Sequence, residues 1–598
     1  MRLQEWIHRL EEGGGAKYIR AIFVVVAFAM LGLVYDTFCF RNFTNPEAMD
    51  TAQLGRNIAE GRGFTTLFVR PLSITLTPAP PTNQWPRLEE GHRDISNPPL
   101  YPLLLAGVLS VTPDPGDLVS KRGFSVYLPN MSIAIGNQLL FGLGALLVFH
   151  LARRWFNQQV AWMAALLFVL TELYWRFTIS GLSTMLLIDL VLLLVWLLSH
   201  FEERSRTGGT GQKLFAHAAA LGAVTGLAML TRYSVGWLIL PVLIFTIVWA
   251  TQRRWTLGVV TFAAFAVIVT PWIVRNLVLS GLPFGTATYA VLEGAAAFMG
   301  DNLQRSLKPS FEGLPGHYWL IFVSVCYKGM GGVREIIASD FPRLGGNWLW
   351  AFFLVGLLVR FQNANLSRLR WFVVASLLLL IPIQALTRTY LSAESPEVNS
   401  ENLLVVFSPL VLIFGVGLFF VLFESLPLPA ATIRYGALAG FVALVSLPFG
   451  LALLPPRVSP ASPPYYPPRI QQVARYLNEH ELWMSDIPWA MAWYGQRQCV
   501  WLTAKRADLF EIDDYQKSVN GLFISTRTTD SKFVSNWLLG ENQEWGGFLL
   551  HTLVRREIPT RFPLKYAPVG LFTNGELLLT DRERWVEPFD GSEKQKKD

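Results

Sequence analysis

Two carboxylates in a short polar stretch are the residues of this sequence best suited to chemistry. Glu47 and Asp50 lie in "NPEAMDTAQLGRNIAEGRGF", residues 45–64, and their spacing of three places both on one face of a helix. Such a pair can act as general base and as ligands of a cation. The alternative is a structural role, because acids in a first helical turn favour the helix dipole. Asn45 suits the N-cap and Pro46 the first helical position, so a helix is predicted to begin here.

The composition is that of a membrane protein with many spans. Of the 598 residues, 52% are hydrophobic and 16% are charged, and the mean hydropathy is +0.36. In soluble proteins about a quarter of the residues are charged. The net charge of +7 accompanies basic residues in short segments between apolar runs, a pattern typical of cytoplasmic loops. No basic stripe with interleaved aromatic residues is present, which argues against nucleic-acid binding.

Apolar runs long enough to cross a bilayer, about 17–25 residues each, predict the membrane-spanning helices. They lie near 18–38, 128–152, 159–175, 180–199, 214–231, 235–250, 256–275, 346–361, 371–388, 402–423 and 434–454. The segment "NPPLYPLLLAGVL" (97–109) is short and holds three prolines, which favours a re-entrant or interfacial helix. The sequence therefore predicts a polytopic α-helical membrane protein with about eleven transmembrane helices.

The charges of the connecting segments predict the orientation. Alternate connections such as "HLARRWF" and "TQRRW" are short and basic, as is the amino-terminal segment, so these lie in the cytoplasm by the positive-inside rule. The first run lacks a small-residue cleavage site and is predicted to be a retained anchor. Two long loops, 39–127 and 276–345, then lie on the outer side and complete a transmembrane domain of residues 1–455.

The composition changes beyond residue 455. Residues 456–468 are a proline-rich linker, and residues 469–598 are predicted to form a soluble α/β domain on the outer side. The segment "LWMSDIPWAMAWYGQRQCVWL" has a strand–helix–strand pattern, and "GLFIST" and "ELLLTD" resemble further strands. The segment contains no phosphate-binding loop or nucleophile elbow, which favours a binding or lid function. Asp486, Trp489 and Trp493 in this segment suit either a sugar or a small core.

Cysteine and histidine give no metal-binding pattern. Cys39, Cys326 and Cys499 are far apart and match neither a disulfide framework nor a zinc site. His92 lies in the first outer loop, where we favour a solvated histidine over a functional one. No metal-binding residue is assigned, although a divalent cation is left open.

Four motifs in order resemble the GT-C glycosyltransferases, integral-membrane enzymes that use polyprenyl-phosphate sugars. An acidic residue after the first span is followed by "AQLGRNIAEGRGF", then by "NPPLYPLLLA", by "LTRY" at the end of a later span and by "PWIVRNLVLSGLP" after the seventh. Together they cover about residues 20–290. The sequence resembles the protein O-mannosyltransferases and the aminoarabinose transferases, and is similar to glycosyltransferase family 39.

The resemblance implies inverting transfer with an outer-loop carboxylate as the base. Counting back from Arg56, the family's pattern assigns that role to Glu47, whereas Asp50 is the only aspartate in the stretch. We place Asp50 first and Glu47 second. The second acid that the family tends to carry at the start of span four is absent from "ISGLSTMLL".

Arginines at the outer ends of spans are candidates for the donor phosphate, because guanidinium binds phosphate oxygens bidentately. These are Arg232 in "MLTRYS", Arg275 in "PWIVRN" and Arg388 in "LTRTYL". The alternative is that span-end arginines extend to lipid headgroups.

Further residues complete the prediction. The candidate substrate-binding residues are Arg56, His92, Asn97, Tyr101 and Glu172. Asp189 lies deeper in the membrane, within the fourth predicted span, where we favour a hydrogen-bonding role inside the helix bundle over a catalytic one. The acids Glu394, Glu397 and Glu401 before span ten favour a solvated acidic face.

The resemblance therefore implies a GT-C-type glycosyltransferase of the bacterial inner membrane. It would move a sugar from a polyprenyl-phosphate donor to an unknown glycan, lipid or protein acceptor on the periplasmic side. The alternatives are a non-catalytic membrane subunit of the same fold, or a transporter of a lipid or sugar. Against a transporter, no internal repeat relates the two halves.

Overall fold

A computed structural model of the chain gives the architecture. It describes residues 15–77, 88, 91–113, 126–208, 211–296, 298–308, 318–344, 348–359, 363–394, 398–426, 431–455, 464–530, 543–567 and 575–584. Of the predicted proline-rich linker 456–468, residues 456–463 lie outside the described residues, and a helix already begins at Pro467.

Helices dominate the chain up to residue 455. They are α1 (Gly15–Cys39), α2 (Pro46–Ala59), α3 (Pro71–Leu76), α4 (Leu100–Ser110), α5 (Leu128–Trp155), α6 (Gln158–Val169), α7 (Glu172–Ser180), α8 (Thr184–Arg206), α9 (Gly211–Thr231), α10 (Ile239–Trp249), α11 (Arg254–Ser280), α12 (Tyr318–Glu335), α13 (Phe341–Arg343), α14 (Trp348–Leu358), α15 (Ala364–Thr387), α16 (Tyr390–Glu394), α17 (Ser408–Ser425) and α18 (Ala431–Ala452). Short 3₁₀ helices (Tyr233–Leu238, Gly285–Tyr289 and Leu403–Phe407) precede or connect some of them.

The predicted spans agree with these helices. Within the described ranges, eight helices are long and apolar enough to cross a membrane, and α6 with α7 makes a ninth if this pair, bent by 50°, is one span. The two remaining predicted spans correspond to shorter apolar helices, Tyr233–Trp249 and Leu349–Leu358. The segment 97–109 contains most of the eleven-residue α4, which is shorter than a membrane span; its re-entrant or interfacial position stays a prediction. The polytopic helical class is thus confirmed.

The spans pack through small residues and one central helix. Helix α17 is buried along most of its length and forms the middle of the bundle. Helices α9 and α11 approach so closely that a Cβ on Gly222 would lie 1.9 Å from the carbonyl oxygen of Thr261. Small residues permit such close contact between membrane helices. Lipid-facing side chains such as Val259 and Phe262 of α11 are exposed.

The carboxyl-terminal residues form an α/β layer. Its helices are α19 (Pro467–Ala474), α20 (Pro488–Trp493), α21 (Arg506–Tyr515), α22 (Thr526–Thr529) and α23 (Gln543–Arg555). Its strands are β4 (Leu482–Ser485), β5 (Cys499–Trp501), β6 (Val519–Ile524) and β7 (Leu577–Thr580), which match the strands that the sequence predicted. β4 pairs in parallel with β5 and β6, and β6 pairs antiparallel with β7.

A fifth strand of this sheet comes from the first loop. The loop contains β1 (Thr65–Thr66), β2 (Phe68–Val69) and β3 (His92–Arg93), and the sheet order is β2-β5-β4-β6-β7. β2 runs parallel to β5, with Phe68 opposite Cys499 and Val69 opposite Val500. The first loop and the carboxyl-terminal residues therefore share one sheet, which the sequence did not predict.

Candidate active site

A cavity of about 550 Å³ lies where the first loop meets the ends of several spans. Its wall combines α2, the residues before α4, the end of α9, the segment after α11 and the end of α15. Five of the candidate catalytic, phosphate-binding and substrate-binding residues line it: Glu47, Asp50, Asn97, Tyr101 and Arg232. Residues from three of the four sequence motifs thus meet in one site.

Asp50 is held by three donors on the cavity wall. The helix that carries it begins as predicted, because the Asn45 side chain accepts a hydrogen bond from the Glu47 amide and Pro46 occupies the first turn. The Asp50 carboxylate accepts hydrogen bonds from Arg70 (2.7 Å), Asn97 (2.9 Å) and Gln53 (3.2 Å). It is only 1% exposed, so its charge is compensated by the Arg70 guanidinium and not by solvent.

Asp94 fixes the position of Asn97 behind Asp50. Its carboxylate accepts a hydrogen bond from the Asn97 amide nitrogen at 2.8 Å and lies 3.9 Å from Arg70. Burial, together with the charge of Asp50, raises the pKa of Asp94 to about 6. For Arg70, burial acts to lower the pKa, but the charges of Asp50 and Asp94 outweigh it and raise the pKa.

Glu47 and Arg232 form the second ion pair of the cavity. Arg232 donates to the Glu47 carboxylate at 3.0 Å and to the Ser400 hydroxyl at 2.5 Å. The Ser400 hydroxyl also donates to Glu47. The Arg232 Nε atom is buried and has no hydrogen-bond partner within the described part of the chain. The guanidinium therefore retains an unused donor beside the cavity.

Two further carboxylates line the cavity. Glu401 is 3% exposed and accepts hydrogen bonds from the Thr389 amide (3.0 Å) and hydroxyl (2.5 Å) and from the Ser392 hydroxyl. The predicted solvated acidic face is therefore wrong for Glu401, because the turn before α17 folds inward; the side chains of Glu394 and Glu397 lie outside the described residues. The second, Glu293, was not predicted, since no motif surrounds it.

Tyr101 lines the cavity through α4 and fixes α4 to the spans. Its hydroxyl donates to the Gly181 carbonyl oxygen at 2.9 Å, at the left-handed turn between α7 and α8. Ser183, beside the start of α8, also lines the cavity. The place of the acid that the resemblance led us to expect in span four is therefore a neutral part of the cavity wall.

Two of the predicted phosphate-binding arginines lie outside the cavity. Arg275 donates to the Asp94 carbonyl oxygen at 3.0 Å and stacks on Trp272, and it lines a neighbouring groove with Arg62 and Arg93. Arg388 forms an ion pair with Asp340 at 2.5 Å. Of the three arginines, only Arg232 lines the cavity, within the described residues.

Arg56 and His92 have structural contacts. Arg56 donates to the carbonyl oxygens of Ala492 (2.6 Å) and Trp493 (2.8 Å) at the end of α20. His92 is buried and its Nε2 lies 2.9 Å from the Ser73 hydroxyl; burial lowers its pKa to about 4. The predicted solvated histidine is therefore wrong, because pairing of β3 with β1 turns this side chain inward.

The remaining candidates lie apart from the cavity. Glu172 lies 3.7 Å from Arg176 in the first turn of α7. Asp189 is buried in α8, and its carboxylate oxygens have no hydrogen-bond partner among the described residues.

In the carboxyl-terminal layer, Asp486 accepts hydrogen bonds from the Ser525 amide and hydroxyl, both at 2.9 Å, at the start of α22. Trp489 and Trp493 are fully buried, which supports core packing over a sugar contact.

Metal-binding groups do not converge within the described ranges. No set of three or more histidine, cysteine, aspartate or glutamate side chains there could hold one ion. We therefore assign no residue to a divalent cation.

Comparison with known proteins gives the fold. The profile of the family described as dolichyl-phosphate-mannose-protein mannosyltransferase matches residues 97–275. No curated protein sequence matches the chain significantly.

Two solved structures are similar over most of the chain. ArnT from Cupriavidus metallidurans bound to undecaprenyl phosphate is 13% identical with a TM-score of 0.52, covering 96% of this chain and 100% of that one. The Archaeoglobus fulgidus oligosaccharyltransferase tethered to an acceptor peptide is 13% identical with a TM-score of 0.51, covering 96% and 76%. The chain therefore has the fold of the GT-C membrane glycosyltransferases, and the resemblance that its sequence indicates is confirmed.

Proposed function

We propose that this chain is a membrane glycosyltransferase that moves a sugar from a polyprenyl-phosphate donor to an acceptor in the cavity described above. The observation that carries the proposal is the composition of the cavity wall. Carboxylates of Glu47 and Asp50 lie beside two guanidinium groups, that of Arg232 at the end of α9 and that of Arg70 in the first loop. Glycosyl transfer requires both an acceptor-activating base and cationic groups for the departing phosphate.

Arg232 is the favoured ligand of the donor phosphate. It lies at the end of α9, and its buried Nε has no partner among the described residues. A phosphate oxygen that approaches this edge of the guanidinium would satisfy the donor, and Ser400 and Glu47 would hold the other edge in place. Arg275 and Arg388 remain candidates for lipid contacts outside the cavity, since neither lines it.

For the reaction we propose inverting transfer, as the resemblance to the GT-C enzymes implies. An acceptor oxygen or nitrogen attacks the anomeric carbon on the face opposite the phosphate, and the bond between that carbon and the phosphate oxygen breaks. The configuration at the carbon is inverted, the polyprenyl phosphate leaves with the electron pair, and a cavity carboxylate takes the proton of the acceptor. The positive charge of Arg232 stabilises the phosphate as its charge develops.

The related structures agree with a lipid-phosphate donor. The Archaeoglobus fulgidus AglB, 12% identical with a TM-score of 0.50 over 96% of this chain and 76% of that one, was solved with a dolichol-phosphate and an inhibitory peptide. ArnT was solved with undecaprenyl phosphate. We propose the periplasmic face of a bacterial inner membrane as the site of transfer, because the basic short connections predict the opposite face to be cytoplasmic.

Mass spectrometry of envelope glycans and glycolipids tests this proposal. A strain that lacks the chain is complemented with wild type, Asp50→Asn, Asp50→Asn with Glu47→Gln, or Glu60→Gln as the control. Glu60 lies just after α2 and its side chain is 48% exposed. We expect one sugar to disappear and to return with wild type and Glu60→Gln only.

The other outcomes separate the alternatives. If no glycan changes on deletion, the transferase proposal is wrong, and the non-catalytic subunit or the transporter takes its place. If the double variant restores the sugar as well as wild type does, at equal expression on immunoblots, Asp50 and Glu47 have no catalytic role.

A further inference from the structure

The four carboxylates that line the cavity differ in their hydrogen bonds. They are Glu47, Asp50, Glu293 and Glu401. A carboxylate that accepts several hydrogen bonds, or that pairs with a cation, is stabilised in its charged form and binds a proton weakly. The hydrogen bonds of each carboxylate therefore indicate which of the four can act as a base.

Three of the four carboxylates accept two or more hydrogen bonds each. Asp50 accepts from one guanidinium and two amides, and Glu47 accepts from the Arg232 guanidinium and the Ser400 hydroxyl. Glu401 accepts three hydrogen bonds from the segment that follows α15. To take a proton, each carboxylate would have to give up hydrogen bonds that stabilise its negative charge. For Asp50 and Glu47 these include a hydrogen bond from a guanidinium group.

Glu293 has a different environment. It follows the 3₁₀ helix Gly285–Tyr289 and is 3% exposed. Within the described residues its carboxylate accepts one hydrogen bond, from the side-chain amide of Gln304. No guanidinium or ammonium group there is within ion-pair distance of it, so one neutral donor orients the group and leaves it basic.

The surroundings of Glu293 hold it rigidly. The backbone of Gln304 accepts a hydrogen bond from the Leu72 amide at 3.2 Å, which ties this segment to α3. From α12, the Lys328 ammonium donates to the carbonyl oxygens of Ala290 (3.0 Å) and Val291 (3.2 Å). The turn that carries Glu293 is thereby fixed from two sides, as a catalytic group requires.

We propose that Glu293 is the general base of the transfer, taking the proton of the acceptor nucleophile. The proposal rests on the function proposed above. As the acceptor bonds to the anomeric carbon and the phosphate leaves, the acceptor proton passes to a Glu293 carboxylate oxygen and later to water. Asp50 and Glu47 instead hold Arg70 and Arg232 in place, and so shape the phosphate side of the cavity.

The charges around Glu293 set the pH at which it can act. Burial raises its pKa to about 7; the hydrogen bond from Gln304 lowers it, the charge of Glu401 raises it, and the charges of Lys328 and Arg70 lower it. A base works in its deprotonated form, so the rate should fall as the pH drops below about 7. A base with a pKa near the working pH is the most effective.

The test is a pH profile of the purified enzyme in detergent. The probe is the total envelope extract of the strain that lacks the chain, and the newly formed glycoconjugate is measured by mass spectrometry between pH 5 and 9. For wild type we expect the rate to rise about tenfold per pH unit below pH 7 and to level off above it. Glu293→Gln should lower the transfer rate at least about 100-fold. It should also lose the acid limb of the profile, which is the decrease in rate below pH 7. Glu293→Asp should keep the limb at a reduced rate.

Two further variants complete the test. Glu511→Gln, on the partly exposed face of α21, is the control and should match wild type. Lys328→Met removes a charge that lowers the pKa of Glu293, so the acid limb should move to higher pH, a result that needs no substitution of Glu293 itself. An unmoved limb in Lys328→Met would contradict the assignment.

The outcomes distinguish this inference from the proposed function. If wild type forms no product at any pH, the transferase proposal is wrong and the inference with it. If wild type forms product and Glu293→Gln, with an unchanged Tm, keeps the acid limb, then transfer stands but Glu293 is not the base. An Asp50→Asn variant that stays active, contrary to the expectation above, but loses the decrease in rate below pH 7 would assign the base to Asp50.

Discussion

At the scale of single residues, the site depends on buried ion pairs, in which each charge is neutralised by its partner and not by water. Asp50 and Arg70 are 1% and 16% exposed in their side chains and lie 2.7 Å apart. Removing one partner of a buried pair leaves an uncompensated charge and costs about 3–5 kcal/mol. We therefore predict that Arg70→Met lowers the Tm measured in detergent and abolishes transfer.

A second substitution separates stability from chemistry. The double variant Arg70→Met with Asp50→Asn removes both charges, so it should regain most of the lost Tm while staying inactive. Arg62→Met is the control, because Arg62 forms a largely exposed ion pair with Glu60, and such pairs contribute about 0–1 kcal/mol. A Tm for Arg70→Met equal to that of Arg62→Met would refute the prediction.

The sequence supplied some of the residues of the cavity and missed others for a physical reason. Glu47, Asp50, Asn97, Tyr101 and Arg232 lie in stretches with recognisable helix signals or family-like motifs, and all five line the cavity. Arg70 and Glu293 lie in irregular segments without periodicity or motif, and only tertiary contacts make them important. His92 and Glu401 were misjudged because exposure cannot be inferred from position in a loop.

At the scale of elements, hydropathy was sufficient to predict the membrane helices. It was insufficient to predict which strands pair when they are far apart in sequence. Spans are set by a local property, the length of an apolar run, and their positions were therefore predictable. β2 comprises two residues, Phe68 and Val69, and its partner β5 lies more than 400 residues away in sequence. A strand this short has no alternation to detect, so the shared sheet could not be predicted.

The contact between α9 and α11 supports a prediction at this scale. A Cβ at Gly222 would overlap the backbone of Thr261, so Gly222→Ala should force the two spans apart. Overpacking of this kind costs about 1–3 kcal/mol. Because α9 leads directly to Arg232, we expect a lower Tm together with a loss of transfer.

Gly440→Ala in α18 provides the matched control. A Cβ at Gly440 would meet no described atom within 4 Å, and alanine favours a helix over glycine by about 1 kcal/mol. The control should therefore retain activity with an unchanged or higher Tm. Equal Tm values for the two variants would mean that the α9–α11 contact adapts without cost.

At the scale of the whole molecule, the carboxyl-terminal layer is bound to both long loops. The Arg56 guanidinium binds carbonyl oxygens of α20, and the Tyr494 hydroxyl donates to the Phe43 carbonyl oxygen at 3.0 Å. From the second loop, Arg305 donates to the Leu502 carbonyl oxygen at 2.6 Å. Trp501 of β5 lines the cavity, where its ring packs against that of Tyr390 from α16, so the layer forms part of the cavity wall.

This arrangement predicts that the two parts of the chain hold together without a covalent connection. A protease site placed within residues 456–463 should be cleaved, yet the fragments should elute as one complex and keep transfer activity. Parallel pairing of β2 with β5 and the buried contacts of Arg56 and Phe68 supply the association.

Phe68→Ala removes an aromatic side chain packed against Trp489 and Trp501, at a cost of about 3–5 kcal/mol, and should let the cleaved fragments separate. Phe510→Ala, at a side chain 36% exposed, should leave them together. Separation of the cleaved wild type would instead mean that the carboxyl-terminal layer is an independent domain, joined to the membrane region by its linker alone.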